Sequence, residues 1–128
     1  MRFDRYTVKS QEALQQAQAR GSASGHPEIR DLHLLLALLT QAEGVVAPTL
    51  RKIGADPAAL AAAAARAVER IPSVRGATGE PRLSPKLADT LRDAERAAEE
   101  FKDEYVSAEH MLLALARSGE TEARDILL

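Results

Sequence analysis

Three histidines are the first residues in this sequence that could do chemistry, as ligands of a metal ion. His33 and His110 each lie beside a run of leucines, and His26 follows a short stretch rich in glycine and serine. Zinc sites use several ligands at short, recognisable spacings, and a common catalytic pattern is HExxH. Neither pattern occurs in the chain. The sequence therefore predicts structural or surface histidines and no metal site.

Asp103 and Glu109 could form a carboxylate pair for general acid–base catalysis. Such a pair works on a positioned nucleophile or substrate, and no nucleophile–base motif accompanies these two acids. The chain has nineteen acidic residues, so two acids close together are expected by chance. The stretches GSASGH and GATGEP do not match the phosphate-binding pattern GxxxxGK[ST]. We therefore expect a chain that is not itself an enzyme and binds no cofactor.

The charge and apolar patterns argue against two classes of partner. Seventeen basic and nineteen acidic residues alternate along the chain and give a net charge of −2, so no basic surface for nucleic acid is predicted. The longest apolar run, Ala58 to Ala65, is too short to cross a membrane, and the N-terminus has no apolar signal segment. The chain contains no cysteine. These features predict a cytoplasmic protein.

The two leucine-rich stretches are copies of each other. His33 and His110 are 77 positions apart (110 − 33), and the same offset aligns more than forty positions without a gap. Matching pairs at this offset are Lys9 with Lys86, Leu14 with Leu91, Ala17 with Ala94, Leu36 with Leu113, Glu43 with Glu120 and Leu50 with Leu127. Self-similarity at a fixed offset is the signature of a duplicated structural unit.

Both units have the pattern of helices, and no strand pattern of comparable strength occurs. We predict helices over residues 7–19, 31–41, 45–53 and 56–71, then 84–100, 107–118 and 121–128. Gly21 and Gly25 are predicted to end the first helix. The predicted N-caps are Thr7, Asp56, Ser84 and Ser107.

The two leucine-rich helices are expected to form the core of one domain. The first of them, residues 31–41, is apolar on nearly every side, as buried helices are, and the second repeats it. Residues 72–82 contain two prolines and two glycines and are predicted to be a linking loop. Neither half has enough apolar surface to fold alone. The predicted fold is an all-α single domain over 1–128, with pseudo-two-fold units of about four helices (about 3–71) and about three helices (about 83–128).

Several stretches resemble the N-terminal domain of the Clp/Hsp100 family of AAA+ chaperones. They are RFDRYT, EALQQAQ, DLHLLLALL, VVAPTLRKIGAD, RIPSV and YVSAEHMLLALA, in that order over the whole chain. The resemblance is closest to the ClpB disaggregase branch. It implies a docking domain outside an ATP-driven ring, which binds unfolded or aggregated protein clients, or adaptor proteins, and passes substrate toward the pore. The alternative is an adaptor- or tag-binding domain of a ClpC- or ClpA-type protease unfoldase.

The same resemblance sets further expectations. ATP and magnesium belong to AAA+ modules that this sequence does not contain. The full-length protein is expected to be a homohexamer and the isolated domain a monomer, with no nucleic-acid or membrane partner. The family unit has four helices, whereas the second unit here ends inside its third. We therefore expect that the natural chain continues beyond Leu128 or has been shortened.

We predict a docking face on the second unit, with an apolar groove rimmed by charge. Its residues are Thr7, Ser84, Leu87, Leu91, Asp103, Tyr105, Glu109 and His110. For Leu87 and Leu91, plain core packing is the alternative. In ClpC-type relatives the acid before the histidine helps to hold phosphoarginine; Glu109 has that position here, and the first unit has Leu32 instead. The alternative for Glu109 is that it complements the helix dipole.

Overall fold

The computed structural model describes residues 3–74 and 80–128. In this part of the chain a short 3₁₀ helix, Phe3–Arg5, precedes seven helices and two short strands. The helices are α1 (Val8–Ala23), α2 (Asp31–Thr40), α3 (Val46–Lys52), α4 (Pro57–Glu69), α5 (Pro85–Glu100), α6 (Ala108–Arg117) and α7 (Glu122–Leu127). The strands are β1 (Glu28–Ile29) and β2 (Arg82–Leu83), which pair in parallel. The predicted all-α class is confirmed. Arg82, predicted to lie in the linking loop, lies in β2 instead. Residues 75–79 of the predicted loop lie outside the described residues.

Local sequence explains where the helices begin. A side-chain oxygen accepts a hydrogen bond from a backbone N–H in the first turn at each of five N-caps, which satisfies a donor that has no partner within the helix. The caps are Thr7, Asp56, Ser84, Ser107 and Thr121. Pro57 and Pro85 lie in the first turn of α4 and α5, where a missing N–H costs nothing. The four predicted caps are confirmed.

Gly21 does not end α1, contrary to the prediction. The helix continues to Ala23, and Gly25, with a φ of 70°, follows its end. Gly21 is buried, and a Cβ built on it would lie 2.4 Å from the Cδ1 atom of Ile29. The glycine therefore allows β1 to approach α1 closely, which is a tertiary requirement rather than a helix stop.

Reciprocal backbone hydrogen bonds connect the two units. The N–H of Thr7, before α1, donates to the carbonyl of Val106 at 3.0 Å. The N–H of Ser84, before α5, donates to the carbonyl of Ile29 at 2.9 Å. Thr7 and Ser84 are 77 positions apart (84 − 7), and so are Ile29 and Val106 (106 − 29). Each unit thus receives the leading segment of the other, as a two-fold arrangement requires.

The core centres on α2, and its copy α6 is less covered. All residues of α2 except Thr40 are buried, and α1 and α4 pack against it. Leu36 is 2% exposed, whereas its equivalent Leu113 is only half-buried. The expectation that both leucine-rich helices are buried is therefore met only in part by α6, where Leu113 is half-buried. The physical reason is packing: α4 covers α2, whereas among the described helices of the second unit none covers α6 in the same way.

Candidate docking site

The predicted docking residues divide into three groups in the structure. The first group lies on the loop after α5 and the first turn of α6 and comprises Asp103, Tyr105, Glu109 and His110. Thr7 adjoins this group because its backbone N–H donates to the carbonyl of Val106. Ser84 lies at the equivalent place in the other unit. Leu87 and Leu91 are 0% exposed. Core packing, the alternative kept for these two leucines, therefore describes them, and they cannot line an open groove.

A histidine clamps the loop between α5 and α6. The Nδ1 atom of His110 accepts the backbone N–H of Ser107 at 2.9 Å, so the ring proton of the neutral form is on Nε2. That Nε2–H donates to Oδ2 of Asp103 at 2.8 Å. The ring of Phe101 stacks on His110, with centroids 6.2 Å apart. Hydrogen bonds at both ring nitrogens of His110 thus hold the loop against the start of α6.

Two aromatic side chains project from this clamped loop. Phe101 is 61% exposed and Tyr105 is 50% exposed, although both are large and apolar. The equivalent positions of the first unit, by the offset of 77, are Ser24 and Glu28. At these two pairs of equivalent positions, only the second unit therefore exposes aromatic side chains. Glu109 is exposed in the first turn of α6, as both expectations for it require.

Beneath the loop is a cleft, here called the α5 cleft, of about 420 Å³. Its lining residues are Arg5, Arg92, Glu95, Ala98, Glu99, Asp103, Glu104 and Val106. Six of these eight side chains carry a formal charge. Glu95 also accepts a hydrogen bond from the hydroxyl of Tyr6 at 2.7 Å, and burial, followed by this bond, raises the pKa of Tyr6. Charged side chains therefore make up most of the lining of the α5 cleft, with Ala98 and Val106 as its apolar members, and the apolar groove on the second unit stays a prediction.

The equivalent cleft on the first unit, the α1 cleft, is apolar. It has a volume of about 200 Å³ and is lined by Phe3, Gln11, Leu14, Gln15, Gln18, Ile29, Pro81 and Leu83. Gln15 and Gln18 of this cleft are the counterparts of Arg92 and Glu95, and Ile29 is the counterpart of Val106. No lining residue among those described is charged, and Glu80 reaches only the rim, where it accepts a hydrogen bond from Gln18 at 3.2 Å. The two clefts thus lie at partly equivalent positions, and charged side chains line the α5 cleft whereas none of the described ones lines the α1 cleft.

Comparison with known proteins gives this architecture a family. Residues 5–128 match the family described as the Clp repeat (R) N-terminal domain. The chain belongs to the Clp N-terminal domain family. The resemblance seen in the sequence motifs is thereby confirmed.

Relatives and solved structures agree with this assignment. The chain is 41% identical over 121 residues to the chaperone protein ClpB of Mycobacterium bovis, which covers 94% of this chain and 14% of that protein. The Hsp104 N-terminal domain from Candida albicans has a TM-score of 0.85 at 23% identity, covering 95% of this chain and 79% of that one. A ClpV N-domain solved in complex with a VipB peptide has a TM-score of 0.76 at 22% identity, covering 95% and 76%.

This Clp N-terminal domain has a further cavity of about 530 Å³. It lies at the positions that correspond, by the offset of 77, to the region of Thr7 and Glu109. Ser84, Leu32 and Asp31 are among its lining residues. Leu32 is buried, so the acidic position of the first unit is replaced by a core side chain. Asp31 is 4% exposed, and its Oδ2 accepts the hydroxyl of Thr90 at 2.7 Å. Burial raises the pKa of Asp31 despite that hydrogen bond.

Sequence reasoning missed the polar cluster of Asp31, Thr90 and Ser118, since no local pattern brings α2, α5 and the end of α6 together. It also missed the partners of the histidines, although the offset of 77 pairs His26 with Asp103 and could have indicated them. Among the described residues, no group of three side chains could hold a metal ion, and no helix is long and apolar enough to span a membrane.

Proposed function

We propose that this Clp N-terminal domain is an accessory docking domain of a ClpB-like chaperone. In this role it binds apolar segments of unfolded or aggregated polypeptide and delivers them to an AAA+ ring, and it performs no catalysis itself. The chain spans 14% of the length of the ClpB relative described above. The ring, its ATP-driven cycle and its clients are therefore proposed for this protein by analogy with that relative. The observation that carries it is the uncharged α1 cleft.

The chemistry of the α1 cleft fits an apolar side chain of an extended client. Phe3, Leu14, Ile29 and Leu83 supply apolar surface, and three glutamine amides can hydrogen-bond a peptide backbone. Its volume of about 200 Å³ is below the range of roughly 300–1,000 Å³ typical of small-molecule sites. A cleft of this size suits one or two side chains. The ClpV N-domain, which shares the fold, is solved with a VipB peptide, so the fold is compatible with peptide docking.

Such a contact is weak and exchanges rapidly. An interface of one or two anchored side chains lies below the areas of stable complexes, so we expect a dissociation constant of roughly tens of micromolar or weaker. Weak binding suits an accessory domain that must release a client to the ring. The balanced net charge of −2 means that long-range electrostatics contributes little to the affinity.

The test exchanges charge between the equivalent clefts. In the variant Gln15→Arg with Gln18→Glu, the α1 cleft acquires the charges that the α5 cleft has at the same positions. Gln15 is exposed and Gln18 half-buried, so the fold should tolerate the change. The matched control is Arg92→Gln, an exposed position of the α5 cleft. Binding is measured by NMR titration with a reduced, alkylated, permanently unfolded protein.

We expect the double variant to weaken binding by about tenfold, since charged groups in the cleft must be desolvated, and the control to leave binding unchanged. Loss of binding through Tyr105→Ser instead would place docking on the clamped loop, as the sequence predicts, and would overturn the α1 cleft as the site. No shift at millimolar client would overturn the docking function itself.

A further inference from the structure

Two buried histidines lie against each other behind β1. Nδ1 of His26 and Nε2 of His33 are 2.9 Å apart, and the rings meet edge to face with centroids 5.0 Å apart. His26 is 4% exposed and His33 is 0% exposed. Gly21 of α1 packs against the ring of His33: a Cβ added to this glycine would lie 3.7 Å from the Nε2 atom. A pair of titratable rings is therefore enclosed between α1, β1 and α2.

Only one arrangement of ring protons satisfies these contacts. The backbone N–H of Arg30 donates to Nδ1 of His33 at 2.8 Å, so Nδ1 carries no proton. The proton of neutral His33 is then on Nε2 and donates to Nδ1 of His26. An added proton on His26 Nδ1 would face the Nε2–H of His33. An added proton on His33 Nδ1 would face the N–H of Arg30. Either one breaks a buried hydrogen bond.

The surrounding charges also oppose protonation. Burial lowers the pKa of His33 to about 4, and the charges of His26, Arg30 and Arg20 act in the same direction. Arg20 belongs to α1, and Arg30 is the N-cap of α2. The helix α4, which also packs against α2, carries Arg66 and Glu69, while Glu28 lies on β1.

The second unit holds the equivalent histidine differently. Asp103 takes the place of His26, so the Nε2–H of His110 points at a carboxylate. Ser107 takes the place of Arg30, and its hydroxyl lies 3.0 Å from Nδ1 of His110. A protonated His110 would also lose the hydrogen bond from the N–H of Ser107, but it could donate from Nε2 to Asp103 and from Nδ1 to this hydroxyl. The second unit therefore has an acceptor for each proton of an imidazolium. The first unit has an acceptor for the Nε2–H of His33, which is Nδ1 of His26, but none for a proton added to either Nδ1.

We propose that the His26–His33 pair is an acid-sensitive latch that holds β1 and the start of α2 in place while both rings are neutral. One proton releases the N–H of Arg30 if it binds Nδ1 of His33, and it separates the two rings if it binds Nδ1 of His26. The segment between them carries Ile29, which lines the α1 cleft and packs on Gly21. Acid thus opens the edge of the α1 cleft, a consequence for client docking that rests on the proposed function.

The direct test needs no client. Amide hydrogen exchange, followed by NMR on the 128-residue chain, compares Arg30 and Leu34 with their equivalents Ser107 and Met111. After correction for intrinsic exchange, we expect the protection of Arg30 and Leu34 to fall by up to about tenfold per pH unit below about pH 6.5, because opening takes up one proton. The protection of Ser107 and Met111 should fall less. A parallel fall at all four amides, or none at Arg30, would overturn the latch.

A reciprocal exchange of side chains tests the cause. The variant Asp103→His gives the second unit the acceptor of the first and should make Ser107 and Met111 acid-sensitive. Asp103 is exposed, so the variant should fold. The variant His26→Asp with Arg30→Ser gives the first unit the acceptors of the second and should remove the acid sensitivity. Acid sensitivity that is unchanged in Asp103→His would contradict the proposal.

Imidazole ¹⁵N shifts of the unmodified chain provide a readout independent of any variant. We expect His33 to remain neutral, with its proton on Nε2, at about pH 5.5, where a free imidazole is mostly protonated. A protonated His33 at that pH, with Arg30 still protected, would overturn the latch. Failure of client docking alone, with the exchange results as expected, would overturn the proposed function and leave the latch standing.

Discussion

Gly25 and Lys102, 77 positions apart (102 − 25), both adopt the left-handed backbone conformation, with φ values of 70° and 58°. Glu43 and Glu120, which are also equivalent, have φ values of 55° and 61°. Residues other than glycine rarely adopt positive φ, since the Cβ crowds the backbone. Both units therefore have a left-handed turn after α1 and α5, which glycine adopts without strain in the first unit and lysine adopts with strain in the second.

The variant Lys102→Gly should stabilise the domain by about 0.5–1 kcal/mol, because glycine removes the Cβ strain while its greater freedom in the unfolded chain offsets part of the gain. Urea unfolding measures the change. The matched control is Gly25→Ala, which should destabilise the domain, since Ala would also meet the carbonyl of Val74 at 3.4 Å. A loss of stability in Lys102→Gly would mean that Lys102 makes a compensating contact.

A second prediction concerns the close approach of α1 and β1. The variant Gly21→Ala places a methyl group 2.4 Å from Cδ1 of Ile29 and should cost about 1–3 kcal/mol, as overpacking of a core does. Adding Ile29→Val, which removes that Cδ1 atom, should recover part of the loss. Gly119→Ala is the control, since its new Cβ would meet nothing within 4 Å. Equal losses for the two alanine variants would exclude the contact as the cause.

The unequal burial of the two central helices should appear in their cavity mutants. The variant Leu36→Ala is expected to cost about 2–5 kcal/mol, as for a buried leucine whose removal leaves a cavity. Leu113→Ala should cost less, about 1–2 kcal/mol, because Leu113 is half-buried and part of its surface is already in water. Denaturant melts provide the comparison. Equal losses would indicate that α6 is covered as fully as α2.

A fourth prediction concerns the buried carboxyl of Asp31. Because burial raises its pKa, the folded domain binds this proton more tightly than the unfolded chain. The group therefore favours folding below the unfolded pKa, near 3.9, and this contribution is lost as the pH rises through the folded pKa. At neutral pH the ionised form carries a desolvation cost that offsets its bond to Thr90.

The variant Asp31→Ala, which copies Ala108 of the second unit, should therefore change stability at neutral pH by less than about 1 kcal/mol. The hydroxyl of Thr90 keeps a partner, since it also lies 3.0 Å from the carbonyl of Lys86. Relative to the unmodified chain, the variant should become less stable as the pH is lowered toward 4. Asp89→Ala, an exposed acid of the same cavity, is the control. A loss above about 2 kcal/mol at neutral pH would show that the carboxylate is a net stabiliser.

The sequence by itself determined the repeat at an offset of 77, the order of the seven described helices, four of their N-caps and the burial of nearly all of α2. These features depend on residue types at short range and on a fixed offset, because capping and periodicity act within a few turns of the chain. The motifs were also sufficient to indicate the Clp N-terminal family. None of these features depends on which helix packs against which.

Only the tertiary structure decided the features that depend on distant neighbours. It assigned Gly21 to a close approach with Ile29, buried Leu87 and Leu91, and left Leu113 half-covered. It also set the chemistry of the two clefts and the partners of the two central histidines. The physical reason is that a side chain's exposure, the charge of its surroundings and its hydrogen-bond partner are supplied by segments far away in the chain, which packing alone brings together.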